Sequence, residues 1–289
     1  MLVTIFTPTY NRAYILENLY KSLCRQTIKN FEWIIVDDGS KDNTETLIYS
    51  FQNENKIAIQ YVKQTNAGKH VAINKGLNLA NGEIFFIVDS DDQLSEDAVE
   101  WLIYQYKQIE YNNDIAGISG VKISFDGNRI GGDMPFLVKD CSALDFRYKY
   151  HVKGDMSEAI KTEVFKQFPF PVFEGEHFCP EAVVWNRMAC KYKLRYVNEP
   201  IYKCEYRPDG LTAKIVKLRM QSPEASMLCY SELYGYKIPF LQKIKAAINF
   251  WRFAFCSKKS FNKKLRQIGF FALILLPIGF LFHLKDLQS

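Results

Sequence analysis

Glu83 to Gln93 reads EIFFIVDSDDQ. Five apolar residues, Ile84 to Val88, run directly into Asp89, Asp91 and Asp92. An unbroken apolar run of this length is the pattern of a strand buried on both faces. Carboxylates crowded at the end of such a strand repel one another and resist burial. Two readings fit them. Asp-Ser-Asp-Asp can be a solvated turn, with Ser95 capping the helix that follows. It can also hold a hard divalent cation, because two carboxylates plus substrate phosphates are a usual way to bind Mg²⁺ or Mn²⁺.

The flanking sequence favours the second reading. Leu2 to Thr7 is a short apolar strand, and Ile15, Leu19 and Leu23 repeat at helical spacing after it. FEWIIVDDGS, Phe31 to Ser40, is a second strand ending in a Gly-Ser turn. Asp42 to Ser50 reads as a helix, Lys56 to Val62 as a strand, and Ala67 to Ala80 as a helix ended by Asn81-Gly82. After the Glu83–Gln93 stretch, a helix begins near Ser95 with Val99, Leu102, Ile103 and Tyr106 on one face. Strands alternating with helices predict right-handed crossovers and a mixed, mainly parallel sheet flanked by helices. Ligands bind such sheets at the carboxyl ends of the strands. Three strand ends there carry polar groups: Thr7 to Tyr10, Asp37 to Gly39, and Asp89 to Asp92. No G-x-G-x-x-G or Walker lysine motif is present, which disfavours ordinary dinucleotide and P-loop sites.

The second half is less regular. Ile115 to Phe125 reads as strand, Asp126-Gly127-Asn128 as a hairpin turn, and Arg129 to Lys139 as containing a return strand. Ser157 to Phe168 reads as a helix stopped by Pro169, and Glu181 to Tyr192 as another. Leu194 to Glu205 is extended, with a break expected at Pro200.

The 289 residues, 48% hydrophobic and 15% aromatic, allow a sizeable core. Seven cysteines without a C-x-x-C pair imply neither a disulfide framework nor a structural zinc site. They fit a reducing, cytoplasmic setting. The N-terminus lacks a basic n-region, so no secretory signal is expected. The net charge of +5 is unevenly spread. Leu233 to Lys285 holds ten Lys or Arg and no Asp or Glu, leaving 27 basic against 32 acidic residues elsewhere. A mildly acidic body argues against nucleic acid as a partner and points to the basic tail.

Four motifs in order carry a resemblance: TIFTPTYNR, FEWIIVDDGSKDNT after Leu23 to Gln26, NAGKHVAINKG, and FFIVDSDD. Together they resemble the family-two, GT-A-fold nucleotide-sugar glycosyltransferases over roughly the first 110 residues. The resemblance loosens from Gly154 to Lys214 and is absent in the tail. It implies a GT-A domain over residues 1–232, with a nucleotide-binding half (1–110) and an acceptor half (111–232). Residues 233–289 form a basic, aromatic and apolar extension.

The resemblance also implies roles. Thr7, Pro8 and Tyr10 lie where the family holds the nucleobase, although Tyr10 also reads as a partly buried core residue. Asp38 lies where a carboxylate reads the uracil imide, and Asp37 is equally placed by sequence. Lys69 opens a helix and suits phosphate. Asp89 falls toward ribose and metal, and Asp91 on the metal, expected as Mn²⁺ or Mg²⁺. Asp92 is a further ligand, an outer partner or a cap. Glu181 in HFCPEAVVWNRMA stands where the family keeps its base, as a single carboxylate instead of the usual Glu-Asp pair; Asp155, Glu174 and Glu176 compete, and His177 is another candidate at the metal or acceptor. Arg207 is expected at the diphosphate.

The implied function is inverting transfer of a sugar from a UDP-sugar to an acceptor. A glycoside hydrolase also uses two carboxylates but needs no nucleobase rim. A non-catalytic nucleotide-sugar sensor is the third class, and a protein or soluble acceptor is an alternative to a lipid-linked glycan. Lys237 to Arg266 interleaves cations with aromatics, and Ile268 to Phe282 is almost wholly apolar around Gly269, Pro277 and Gly279. That tail reads as an anchor in the interface of an anionic membrane, or else as a helix packed on the body.

Overall fold

The computed structural model describes residues 2–288. The chain divides into two compact units, Met1–Pro169 with Arg187–Glu205, and Phe170–Asn186 with Tyr206–Ser289.

The first unit opens with β1 (Val3–Thr9), α1 (Leu16–Cys24), β2 (Phe31–Asp37), α2 (Thr44–Glu54), β3 (Ala58–Lys63), α3 (Lys69–Leu79) and β4 (Ile84–Ile87). It continues with β5 (Gln93–Leu94), α4 (Ala98–Lys107), β6 (Ile115–Ile123), β7 (Val138–Cys141), α5 (Ala143–Tyr148), β8 (Met156–Lys161) and α6 (Thr162–Phe165). Helix α7 (Ala182–Ala189) precedes β9 (Lys193–Lys203). The sheet order is β3-β2-β1-β4-β8-β6-β9-β5, with β7 also paired to β9. Strands β3, β2, β1 and β4 are parallel, and β8 pairs antiparallel with both β4 and β6. All seven residues of β1 are buried, as a strand covered by helices on both faces requires.

On one face, Leu16, Leu19 and Leu23 of α1 meet Trp33, Phe51 and Leu102, with the Tyr20 and Phe51 rings stacked at 4.0 Å. On the other, Phe6 stacks on Phe85 at 5.0 Å. Gly76 lets α3 descend onto that pair: a Cβ there would stand 2.1 Å from Phe6 Cε2. Gly82 admits a backbone approach, because its Cβ would stand 2.5 Å from the Thr4 nitrogen.

Three local expectations change. Ser157 to Phe168 is not one helix: Ser157–Lys161 belongs to β8, and only Thr162–Phe165 is helical. Partners on both sides outweigh the helix preference of Glu-Ala-Ile-Lys. Strand β9 runs through Pro200, and its register with β6 shifts between Ser119–Tyr196 and Val121–Pro200. That irregularity absorbs the missing N–H. The return strand β7 pairs with β9, while the Asp126–Asn128 turn closes on an isolated Ile123–Arg129 bridge.

The second unit holds α8 (Ile215–Gln221), α9 (Pro223–Gly235), α10 (Phe240–Ala254), α11 (Phe261–Ile268), a 3-10 stretch (Phe270–Leu275) and α12 (Leu276–Leu287). Met227, Ala247, Phe250, Trp251, Ile268 and Ala272 form its core. Trp251 Nε1 donates to the Ala272 carbonyl at 2.8 Å. Residue 233, the expected start of an extension, lies inside α9, whose Met227 shares the core of α10. Pro277 does not break a helix; it sits in the first turn of α12, where its missing N–H has no intrahelical partner to lose.

Candidate active site

The carboxyl ends of β1, β2 and β4 place the three polar strand ends on one rim, as parallel pairing in register demands. At β2, Asp37 is fully buried; its Oδ1 accepts from Ser40 N–H at 2.8 Å and its Oδ2 from the Tyr61 hydroxyl at 2.9 Å. Asp38 Oδ1 accepts from Gln64 Nε2 and Ala67 N–H, and Oδ2 from Gly68 N–H, each at 2.8 Å. These bonds fold the Asn66–Gly68 turn ahead of α3, where Gly68 takes φ +98°. A carboxylate offers about four acceptor positions, so Asp38 Oδ2 keeps one.

Tyr10 is 45% exposed at the end of β1. Pro8 is buried. Thr7 is fully buried, and its Oγ1 accepts from Trp33 Nε1 at 2.9 Å. Strand alternation turns Thr7 toward the same face as Val3 and Ile5, into the core.

Lys69, the first residue of α3, brings Nζ to 2.7 Å from Asp89 Oδ1. Arg12 approaches Asp91 Oδ2 at 3.8 Å. The Tyr202 hydroxyl, from β9, accepts the Asp89 N–H at 3.0 Å and donates to Asp92 Oδ2 at 2.6 Å. The Lys122 ammonium, from β6, lies 4.3 Å from the centre of the Tyr202 ring. Sequence reasoning assigned no role to Arg12, Lys122 or Tyr202. Arg12 stood inside a quoted motif; the other two reach the cluster through long-range strand pairing that leaves no local signal.

Three cations thus face three carboxylates. Burial works against the Asp89 charge, but Lys69 and Lys122 outweigh it and hold that carboxyl below its usual range. Burial and the Asp89 charge push the Asp91 carboxyl up. The same two causes, against the Tyr202 bond, carry Asp92 to about 7. Lys122 keeps its proton, because Asp89 and Asp92 overcome the cost of burial.

The donor set fits a hard cation. Asp89 and Asp91 side chains are 35% and 18% exposed, so both present oxygen to a ligand, while Asp92 is turned to Tyr202. Among the described residues no group of three or more His, Cys, Asp or Glu is arranged as a closed metal cage. Two carboxylates with the remaining positions left to water and phosphate are the usual Mg²⁺ or Mn²⁺ arrangement at a nucleotide.

Glu181 and Arg207 belong to the second unit. Half-buried Glu181 opens α7, its carbonyl accepting from Val184 N–H at 3.0 Å. Arg207 pairs with Asp209 at 3.3 Å. Glu176 is committed elsewhere: its two oxygens accept Glu224 N–H at 2.6 Å and Ala225 N–H at 2.9 Å, capping α9. Glu174 and His177 are exposed, as is Asp155 in the first unit.

The chain is similar to known proteins. Over 115 residues the chain is 41% identical to glycosyltransferase GlyA of Streptococcus pneumoniae, covering 39% of this chain but 16% of GlyA. It is 26% identical over 217 residues to the GalNAc(5)-diNAcBac-PP-undecaprenol beta-1,3-glucosyltransferase of Campylobacter jejuni, covering 73% of this chain and 67% of that one. Staphylococcus aureus TarS 1-349 in complex with UDP-GlcNAc superposes with a TM-score of 0.62 at 15% identity, covering 99% of this chain and 89% of TarS 1-349. The mannosyltransferase PcManGT of Pyrobaculum calidifontis, in complex with GDP-Man and Mn2+, superposes at 0.58 with 17% identity, covering 98% and 87%. The fold is therefore GT-A. The family model for glycosyl transferase family 2 matches residues 4–168, which span β1 to α6 and every carboxylate of the rim, and the chain belongs to that family.

Proposed function

We propose that this protein transfers a sugar from a UDP-sugar, with inversion, to a hydroxyl of a lipid-linked glycan in the assembly of a bacterial surface polysaccharide. One observation carries the reading: Asp89, Asp91 and Lys69 meet at the carboxyl rim beside Asp38. A diphosphate needs both signs of charge there. Tyr10 offers an exposed ring to the uracil, and Asp38 Oδ2 retains an acceptor for its imide. Lys69, released from Asp89, takes a phosphate oxygen. Asp91 and Asp89 would hold Mn²⁺ or Mg²⁺. Bound there, the cation supplies neutralisation of the charge that develops on the departing diphosphate. Arg207 adds a further positive charge for that diphosphate. Glu181 removes the proton from the attacking hydroxyl.

Support for the substrates comes from the relatives: TarS holds UDP-GlcNAc, PcManGT holds Mn2+, and the Campylobacter relative is named for an undecaprenol-diphosphate glycan. The protein works on the cytoplasmic side, peripheral to the membrane that carries such an acceptor. The test is release of free UDP from a panel of UDP-sugars with Mn²⁺, with and without a polyprenyl-diphosphate glycan. Acceptor-stimulated release with an inverted product anomer is expected. Binding without release would make the protein a sensor, and a retained anomer would exclude direct displacement.

A further inference from the structure

Helix α12 is inside-out for a helix on a water-facing body. Its stripe toward α10 carries Gly279, His283 and Asp286. A Cβ on Gly279 would stand 2.5 Å from Trp251 Cβ and 2.9 Å from the Ile248 carbonyl oxygen, so the two helices touch at their backbones. His283 is buried, with Nδ1 3.9 Å from Cys256 Sγ. Asp286 takes a two-pronged pair from Arg252 at 2.5 and 2.6 Å, its side chain 7% exposed. The outward faces carry Ile278, Phe280, Leu281, Leu284 and Leu287, all exposed. The 3-10 stretch before it adds Phe271 at 86% and Ile274 at 80%. Small and polar groups lie inside and large apolar groups outside, the reverse of what water selects. An apolar surface this continuous marks a binding face. Phe270–Leu287 is 18 residues long and 17% of it is buried; among the described residues it alone has the length and composition of a membrane-crossing segment.

Charge identifies the occupant. From Leu233 to Lys285 there is no Asp or Glu, and Lys245, Lys258, Lys259, Lys263 and Arg266 are exposed. Docking a second copy on this face brings lysine against lysine, which disfavours it. Anionic headgroups over hydrocarbon satisfy both the cations and the apolar face. Phe270–Leu287 has the length to cross, but the inner stripe of α12 is tied to α10 by the Gly279 backbone contact and the Arg252–Asp286 pair, so it meets a bilayer with its outer faces only.

We propose that Phe270–Leu287 inserts into one leaflet of an anionic bilayer, its apolar faces below the headgroups and the lysines of α10 and α11 at their level. This rests on the membrane-side reading above and adds that apolar insertion, more than charge, retains the protein there.

The experiment is flotation of the full chain with phosphatidylglycerol–phosphatidylethanolamine vesicles at low salt and at about 1 M salt, where charge attraction is screened within about 3 Å. The wild type should float at both. Phe271→Ser, Ile274→Ser and Leu281→Ser combined should lower the partition coefficient at least about tenfold. The three sites are 86%, 80% and 65% exposed, so the thermal melt and UDP release should hold. Flotation that high salt abolishes and the serines leave intact would keep a membrane-side enzyme but overturn insertion. A wild type that does not float, and whose dimer in light scattering the serines dissociate, would overturn both and assign the face to a second copy.

Discussion

The Tyr202 hydroxyl bridges the turn after β4, accepting the Asp89 N–H and donating to Asp92 Oδ2 at 2.6 Å. One side chain from β9 therefore fixes both ends of Asp-Ser-Asp-Asp and holds Asp92 back from the face where Asp89 and Asp91 present oxygen. Tyr202→Phe removes both bonds while keeping the ring under Lys122. The expected stability loss is about 1–3 kcal/mol, the cost of leaving buried polar groups unpaired. Mn²⁺ titration in the presence of UDP should show weakened binding. Unchanged Mn²⁺ binding would reduce Tyr202 to a packing role.

Asp91→Asn separates function from stability. Burial and the Asp89 charge push the carboxyl up, so carrying its charge costs the folded state stability. Removing that charge should leave the metal-free melting temperature equal or higher. Transfer should fall to background, and chelator should do the same to the wild type. A variant that keeps near-normal turnover sinks the metal role.

Glu32 gives a pH signature. Its carboxylate accepts from Thr4 Oγ1 at 2.5 Å, Asn81 N–H at 2.7 Å, Asn81 Nδ2 at 3.0 Å and Gly82 N–H at 3.1 Å, stapling β2 and β1 to the entrance of β4. Burial pushes its carboxyl up, but the bonds, led by Thr4, outweigh burial and draw it below its ordinary value. The folded state thus prefers the charged form. Its contribution is complete above the unfolded carboxyl value of about 4.3 and disappears as pH falls through the lower folded value. Glu32→Gln should cost about 1–3 kcal/mol at pH 7 in urea melts, and the gap to wild type should close as pH falls below the ordinary carboxyl range. A gap independent of pH would contradict the staple.

Helix α3 ties packing to the site. Gly76 rests on Phe6, and Lys69 opens the same helix beside Asp89. Gly76→Ala places a methyl 2.1 Å from a ring already stacked on Phe85, so α3 must lift. A loss of about 1–3 kcal/mol is expected from overpacking, with weaker UDP binding by calorimetry. Full stability would show that the Phe6 ring yields.

Strands β1, β2 and β4 and the acidic rim were legible because mainly apolar runs mark buried parallel strands, and their polar ends share one rim whatever the intervening detail. The β8 segment was misread because Ser157–Lys161 has helix-compatible residues, and only its place between β4 and β6 makes it a strand. The inward turn of the Thr7 side chain was not legible, because a motif gives order along the chain, not which face a strand residue takes. Lys122 and Tyr202 were invisible for a related reason: β9 sets Tyr202 opposite Leu94 of β5, and Lys122 of β6 pairs in register with Tyr202, both across long stretches of sequence.

Glu181 remains the proposed base, and its neighbour Glu176 supplies the control. Both carboxylates lie in the same unit, five positions apart. Glu176 spends its two oxygens on the first N–H groups of α9, a helix-capping role that also satisfies the positive end of the helix dipole. Burial raises its carboxyl despite those bonds. Glu176→Gln should therefore lower the melting temperature and reduce turnover only in proportion to folded protein. Glu181→Gln should leave the melt unchanged and cut turnover about 10²–10⁴-fold, the range for loss of a general base. UDP-sugar affinity should persist in Glu181→Gln, since the proton it removes belongs to the acceptor. A loss of UDP-sugar binding in that variant would assign Glu181 to the substrate pocket, and equal turnover in Glu181→Gln and wild type would return the search to Glu174 and Asp155.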